Sequence, residues 1–158
     1  MIRFRTYLTL FTFVVCSLVL LPSANAIRPF VTDDARVVGR HRLQLESWFL
    51  VESGFATLSA LPAFGPLEWA EITIGAVGGS SNTEGHTGLG ISGPLAQVKL
   101  LLRPTVPGEL PGVAFATGAS APWGIGPLVH SGWYGFSYIA LSQGFFSEDD
   151  LLLHANLG

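Results

Sequence analysis

Lysine is all but missing from this chain: of 158 residues only Lys99 carries an ammonium group. Arg3 and Arg5 lie at the extreme N-terminus, which leaves six basic residues against eleven acidic ones beyond them. No basic face can be built from that balance, so nucleic acid is excluded as a partner. Cysteine is scarcer in effect. Cys16 is the single thiol, so the chain can form neither an internal disulfide nor a thiolate metal site. The third absence is of charge. From Leu110 to Ser147 there is no Lys, Arg, Asp or Glu, and mean hydropathy over the chain is +0.48. This apolar stretch still lacks the run of about 20 residues that a membrane helix needs. Pro111, Gly112, Gly118, Pro122, Gly124, Gly126, Pro127, Gly132, Gly135 and Gly144 interrupt it, and these residues punctuate strands and turns.

The N-terminus reads as a secretory signal peptide over residues 1–26. Arg3 and Arg5 form the positive region, Tyr7 to Leu21 the apolar region, and Pro22 and Ser23 break it. Ala24-Asn25-Ala26 then supplies an A-x-A site with cleavage after Ala26. An uncleaved anchor is the competing reading. A lipoprotein processed at Cys16 is rejected, because Val15 precedes it and Leu18 to Leu21 follow. The mature part, residues 27–158, is long enough for one domain.

An exported, hydrophobic, helix-hostile chain predicts strands that face lipid. In hydrocarbon every backbone N–H and C=O must be paired within the protein, which leaves only helices and closed barrels. The expected fold is therefore all-β: an antiparallel transmembrane β-barrel of the bacterial outer membrane. Period-two alternation supports it. Along Leu95 to Arg103, Ala96, Val98, Leu100 and Leu102 face one way, and Gln97, Lys99 and Arg103 the other, with Leu101 the exception. Arg42 to Glu52 sets Leu43, Leu45, Phe49 and Val51 against Arg42, Gln44, Glu46 and Glu52. Ala70 to Gly78 sets Ala70, Ile72, Ile74 and Ala76 against Glu71 and Thr73. The last segment alternates Leu151, Leu153, Ala155 and Leu157 with Leu152, His154 and Asn156. Weaker strands are expected at Phe55 to Phe64, Val113 to Ala121 and Trp133 to Gln143, the last with ambiguous sidedness.

Short connectors (Gly65 to Trp69, Pro104 to Pro111, Phe146 to Asp150) are expected to alternate with long loops (Gly79 to Gly93, Pro122 to Gly132). The tight Ser53–Gly54 connection breaks that rule. Trp69, Trp123, Trp133, Phe145 and Phe146 fall at strand ends, as an aromatic interface belt requires. The competing architecture is a secreted soluble β-sandwich, in which Leu100 and Leu102 would pack into a second sheet. The strand count is about seven, whereas bacterial single-chain barrels have an even number of at least eight. The expectation is an N-terminal fragment of a larger barrel.

The opening Arg28-Pro29-Phe30-Val31-Thr32-Asp33-Asp34-Ala35, followed by Val38-Gly39 and Arg42-Leu43-Gln44-Leu45-Glu46, resembles the start of the outer-membrane family of meta-pathway phenol-degradation proteins, often simply called transporters. Glu71-Ile72-Thr73-Ile74-Gly75, Pro111-Gly112-Val113-Ala114 and Leu153-His154-Ala155-Asn156-Leu157-Gly158 resemble later pieces of it. The resemblance runs from Arg28 onward and implies a barrel distantly similar to channels for hydrophobic compounds. It also implies a chain that continues beyond Gly158. It brings no catalytic residues.

Other constellations carry less. Gly88-Leu89-Gly90-Ile91-Ser92-Gly93 fits G-x-G-x-x-G, but no strand precedes it and no helix opens at it, so a flexible loop is expected. His41, His86, His130 and His154 are scattered, with no ligand spacing for zinc. His130-Ser131 could serve a barrel-based lipid hydrolase, although no nucleophile elbow is present. Thr32-Asp33-Asp34 offers too few acids for a cation cage and reads as a turn near Arg36 and Arg40. Glu46, Glu71, Gln97, Lys99, Arg103, His154 and Asn156 are the expected lumen-facing residues. The functional expectation is a non-enzymatic passive channel for small, hydrophobic or aromatic compounds, with no cofactor or metal. Its partners would be outer-membrane lipids, the barrel-assembly machinery and a small-molecule permeant. A purely structural barrel is the remaining alternative.

Overall fold

The computed structural model of the protein describes residues 33–146 and 151–158. The expected signal segment, the expected cleavage point at Ala26 and the opening residues up to Thr32 lie outside those residues, as do residues 147–150.

One antiparallel sheet makes up the fold. Its strands are β1 (Leu43–Glu52), β2 (Phe55–Leu67), β3 (Ala70–Thr83), β4 (His86–Arg103), β5 (Gly112–Ser120), β6 (Gly124–Ile125), β7 (Tyr134–Phe145) and β8 (Leu151–Leu157). They pair in the order β1-β2-β3-β4-β5-β7-β8, with the two-residue β6 attached to β4 through Ile91 and Ser92. No helix occurs among the described residues, and the sheet curls into a half-barrel. Every pairing along this order is antiparallel. The two rims, β1 and β8, therefore run in the same direction.

Alternating side chains give the curled sheet two unlike faces. On the convex side stand Leu45, Phe49, Leu58, Ile72, Ile74, Val98, Leu102, Ile139, Leu141 and Leu153, all well exposed. No second sheet covers them among the described residues. The soluble sandwich therefore has no counterpart here: Leu102 stands 64% exposed. The concave side carries Ser59, Leu61, Glu71, Thr73, Gln97, Lys99, Ala114, Ala116, Ala140 and Ser142, all buried. The Trp133 segment resolves its sidedness in β7, with Tyr138, Ala140 and Ser142 inward and Ile139 and Leu141 outward.

The expected long loop over Gly79 to Gly93 is not a loop. It is the distal half of the β3–β4 hairpin, closed by a two-residue turn at Glu84-Gly85 and paired from Gly79↔Gly90 to Thr83↔His86. The G-x-G-x-x-G stretch lies within β4 and not in a flexible loop. Gly, Ser and Thr hide the strand from a period-two reading, because backbone pairing needs no apolar alternation. The expected alternation of short and long connectors also fails. Ser53-Gly54, Glu68-Trp69 and Glu84-Gly85 are all two-residue turns. The Pro122 to Gly132 connector is long, as expected, but folds back to form β6.

Trp69 and Phe146 lie at the end carrying the β2–β3 turn, here the lower end. Trp123 and Trp133 lie at the upper end, edge to face with centroids 5.7 Å apart.

Candidate functional site

The concave face is not an empty trough. Residues 33–42 cross it as an extended strap before entering β1. Asp33 is the first anchor. Its Oδ1 accepts from Lys99 Nζ at 2.9 Å, and its Oδ2 accepts from the Tyr138 hydroxyl at 2.5 Å. The Asn156 side-chain amide, turned so that both its atoms are satisfied, reads the backbone of the same residue. Its nitrogen donates to the Asp33 carbonyl and its oxygen accepts from the Asp33 N–H, each at 2.8 Å.

Two residues on, Ala35 is fully buried against Ala114 and Ala140, with Tyr138 beside them. Its N–H donates to Ser142 Oγ at 2.7 Å. Val38 N–H donates to Glu71 Oε2 at 2.9 Å. Gly39, at φ +82°, turns the strap toward β1. It lies so close to Gly65 that a Cβ there would stand 1.9 Å from its carbonyl oxygen. The strap thus touches β2, β3, β4, β5, β7 and β8 within seven residues.

The sheet register explains why these groups converge. Glu71 pairs with Lys99, Lys99 with Ala116, and Ala116 with Tyr138. An acid, a base and a phenol therefore share one row, separated by a methyl. Small side chains at Ala114, Ala116 and Ala140 leave the depth that Ala35 fills. Lys99 is 4% exposed. Burial of an ammonium group costs several kcal/mol unless it is paired, and Asp33 with Asp34 (3.8 Å) provides the counter-charge. Asp34 also accepts from Arg36 N–H and Nε, the local turn expected from the sequence.

Of the seven residues expected to line the interior, four meet the strap or its anchors: Glu71, Lys99, Asn156, and Gln97 through the Tyr138 hydroxyl at 3.2 Å. His154 lies on the same face and is hydrogen-bonded through Nδ1 to Ser142 Oγ at 2.9 Å. Glu46 borders a polar cavity of about 10 Å³ with Asp33, Glu71, Thr73 and Gln97, close to the room one water occupies. Arg103 stands apart at the lower end, where its Nε donates to the Pro111 carbonyl. The sequence reading missed Asp33, Tyr138 and Ser142 as interior residues. Lys99 was the available signal, since a lone inward lysine requires a carboxylate.

His130 does not pair with Ser131. Its Nδ1 meets the Gly132 carbonyl at 2.7 Å and its Nε2 meets Ser120 Oγ at 2.9 Å. A carbonyl only accepts, so Nδ1 carries the proton and Nε2 accepts from the serine. The Gly132 carbonyl fills the place a triad carboxylate would take, and the contact holds the 121–133 connector onto β5. No group of three or more His, Cys, Asp or Glu suited to a metal ion occurs among the described residues. At the upper end, Gly79, Leu89, Gly90, Ile91 and Ile125 line an open apolar cleft of about 300 Å³.

No family model, curated protein or solved structure matches this chain.

Proposed function

We propose that this chain is part of an outer-membrane β-barrel that passes small molecules by passive diffusion, after export directed by residues 1–26. The observation that carries the reading is the convex face, where an apolar band spans β1 to β8 with nothing packed over it among the described residues. A water-soluble monomer rarely exposes a contiguous apolar patch of that extent. A lipid-facing strand requires it, together with a polar opposite face. The aromatic rings at both ends of the sheet suit the two interfaces of a bilayer. The residues from Asp33 onward that resemble the phenol-degradation outer-membrane family support the same reading and suggest a hydrophobic or aromatic permeant. The mechanism is physical: a polar interior admits solutes, and its charges select among them. No residue acts as a catalyst in it.

Fractionation of cells expressing the full chain tests location. Retention in membranes washed with urea is expected, and recovery in the soluble periplasm would reject the proposal. Swelling of liposomes containing the purified protein, in solutions of small neutral and aromatic solutes, tests permeation.

A further inference from the structure

The strap occupies its seat as a ligand occupies a receptor. Lys99 and Tyr138 grip one carboxylate through different oxygens. Asn156 reads the N–H and C=O of the same residue in the two-point manner of a neighbouring strand. Ala114 and Ala140 close around one methyl two residues further on. With the strap seated, Lys99 and Gln97 are each 4% exposed, on adjacent inward positions of β4. Nothing in this arrangement requires the carboxylate and amide to be covalently continuous with β1. Any molecule with a carboxylate at that distance from a secondary amide presents the same groups.

We propose that this seat is a binding site for acidic N-acyl amino acids and short acidic peptides, which Asp33 holds closed in the resting protein. Charge-assisted contacts from an ammonium and a phenol to one carboxylate are the strong kind. Their burial adds discrimination, because an uncharged analogue would deprive Lys99 of the carboxylate that Asp33 now holds at 2.9 Å. The reading rests on the channel proposal only in placing the seat inside a barrel. Binding is therefore measured apart from transport, and its failure leaves the membrane reading untouched.

The probe is N-acetyl-aspartate amide, with N-acetyl-asparagine amide and butyrate as comparators, titrated calorimetrically against the full chain in detergent. Ala35→Arg unseats the strap, because the fully buried methyl has no room for a guanidinium. Asp33→Gly is the second variant, which removes the side chain that Lys99 and Tyr138 hold and leaves its place open. The expected result is binding to either variant at least about tenfold tighter than to the unaltered protein. The asparagine analogue and butyrate should each bind about tenfold more weakly than the aspartate probe. Adding Lys99→Met to either variant should abolish binding while the far-ultraviolet β signal persists. Folded variants that fail to bind the aspartate probe, or bind it no better than the asparagine analogue, would overturn the proposal. The strap would then be a structural filler only.

Discussion

The Asp33–Lys99 pair invites a double-mutant cycle whose outcome the burial pattern dictates. Asp33→Ala strands the ammonium of Lys99, which is 4% exposed, with only Asp34 at 3.8 Å. Removing one partner of a buried pair costs about 3–5 kcal/mol, because the survivor remains desolvated. Asp34 offsets part of this, so about 3 kcal/mol is expected for Asp33→Ala. Lys99→Met leaves Asp33, whose side chain is 15% exposed and keeps the Tyr138 hydroxyl. Its cost should fall to about 1–2 kcal/mol, the worth of a hydrogen bond to a charged group. The combined variant buries no unpaired charge at this site and should cost about 2 kcal/mol less than the two single costs added together. Equilibrium unfolding in guanidinium, followed by tryptophan fluorescence in detergent, reads all three. Additivity within about 0.5 kcal/mol would refute the reasoning, since uncoupled residues behave that way. A lysine in a merely water-filled interior would be dispensable, and Lys99→Ala would then be tolerated. The buried pair predicts a measurable loss instead.

Three further outcomes are expected. Val98→Arg and Ile74→Arg, both on the convex face, should each hinder membrane assembly by about 2–4 kcal/mol if they lie near the bilayer midplane. Equal assembly of these variants and the unaltered protein, scored by heat-modifiable gel mobility, would remove the lipid-facing assignment. Gly65→Ala drives a methyl into the Gly39 carbonyl and should cost about 1–3 kcal/mol, with faster proteolysis of the strap; Gly132→Ala, with open space around it, should be silent by both measures. His130→Gln should loosen the 121–133 connector by about 0.5–1.5 kcal/mol, seen as faster amide exchange at Ala121 and Gly93, and unchanged exchange would show that the Ser120 contact holds nothing.

How much of this was legible depends on where the information lies in the chain. The alternation in Leu95 to Arg103 is local, so Gln97 and Lys99 could be placed on one face without a partner strand. The same holds for Glu71 with Thr73 and for His154 with Asn156. The upper half of the β3–β4 hairpin was illegible because Gly78, Gly79, Ser80 and Ser81 carry no apolar contrast. Their pairing with Ile91, Gly90, Leu89 and Gly88 continues the register of the better-marked residues below. β7 is ambiguous in sequence because both its faces carry apolar groups, and the contacts of the Tyr138 hydroxyl with Asp33 and Gln97 show which face is inward. The start of the strap reads from sequence as a turn at Thr32-Asp33-Asp34 near Arg36 and Arg40, and of this the structure shows Asp34 accepting from Arg36. Its role as interior filler depends on contacts with Lys99 and Tyr138, 66 and 105 positions away. No window along the chain contains both partners.

The two rims of the sheet run the same way, and simple arithmetic follows from that. If β8 were brought round to β1 the seam would be parallel, with slanted bonds foreign to every other ladder in the sheet. Two copies related by rotation about an axis along the strands would meet with the same fault at both joins. A cylinder built on this sheet with antiparallel seams throughout must take an odd number of additional crossings, and its total is then even.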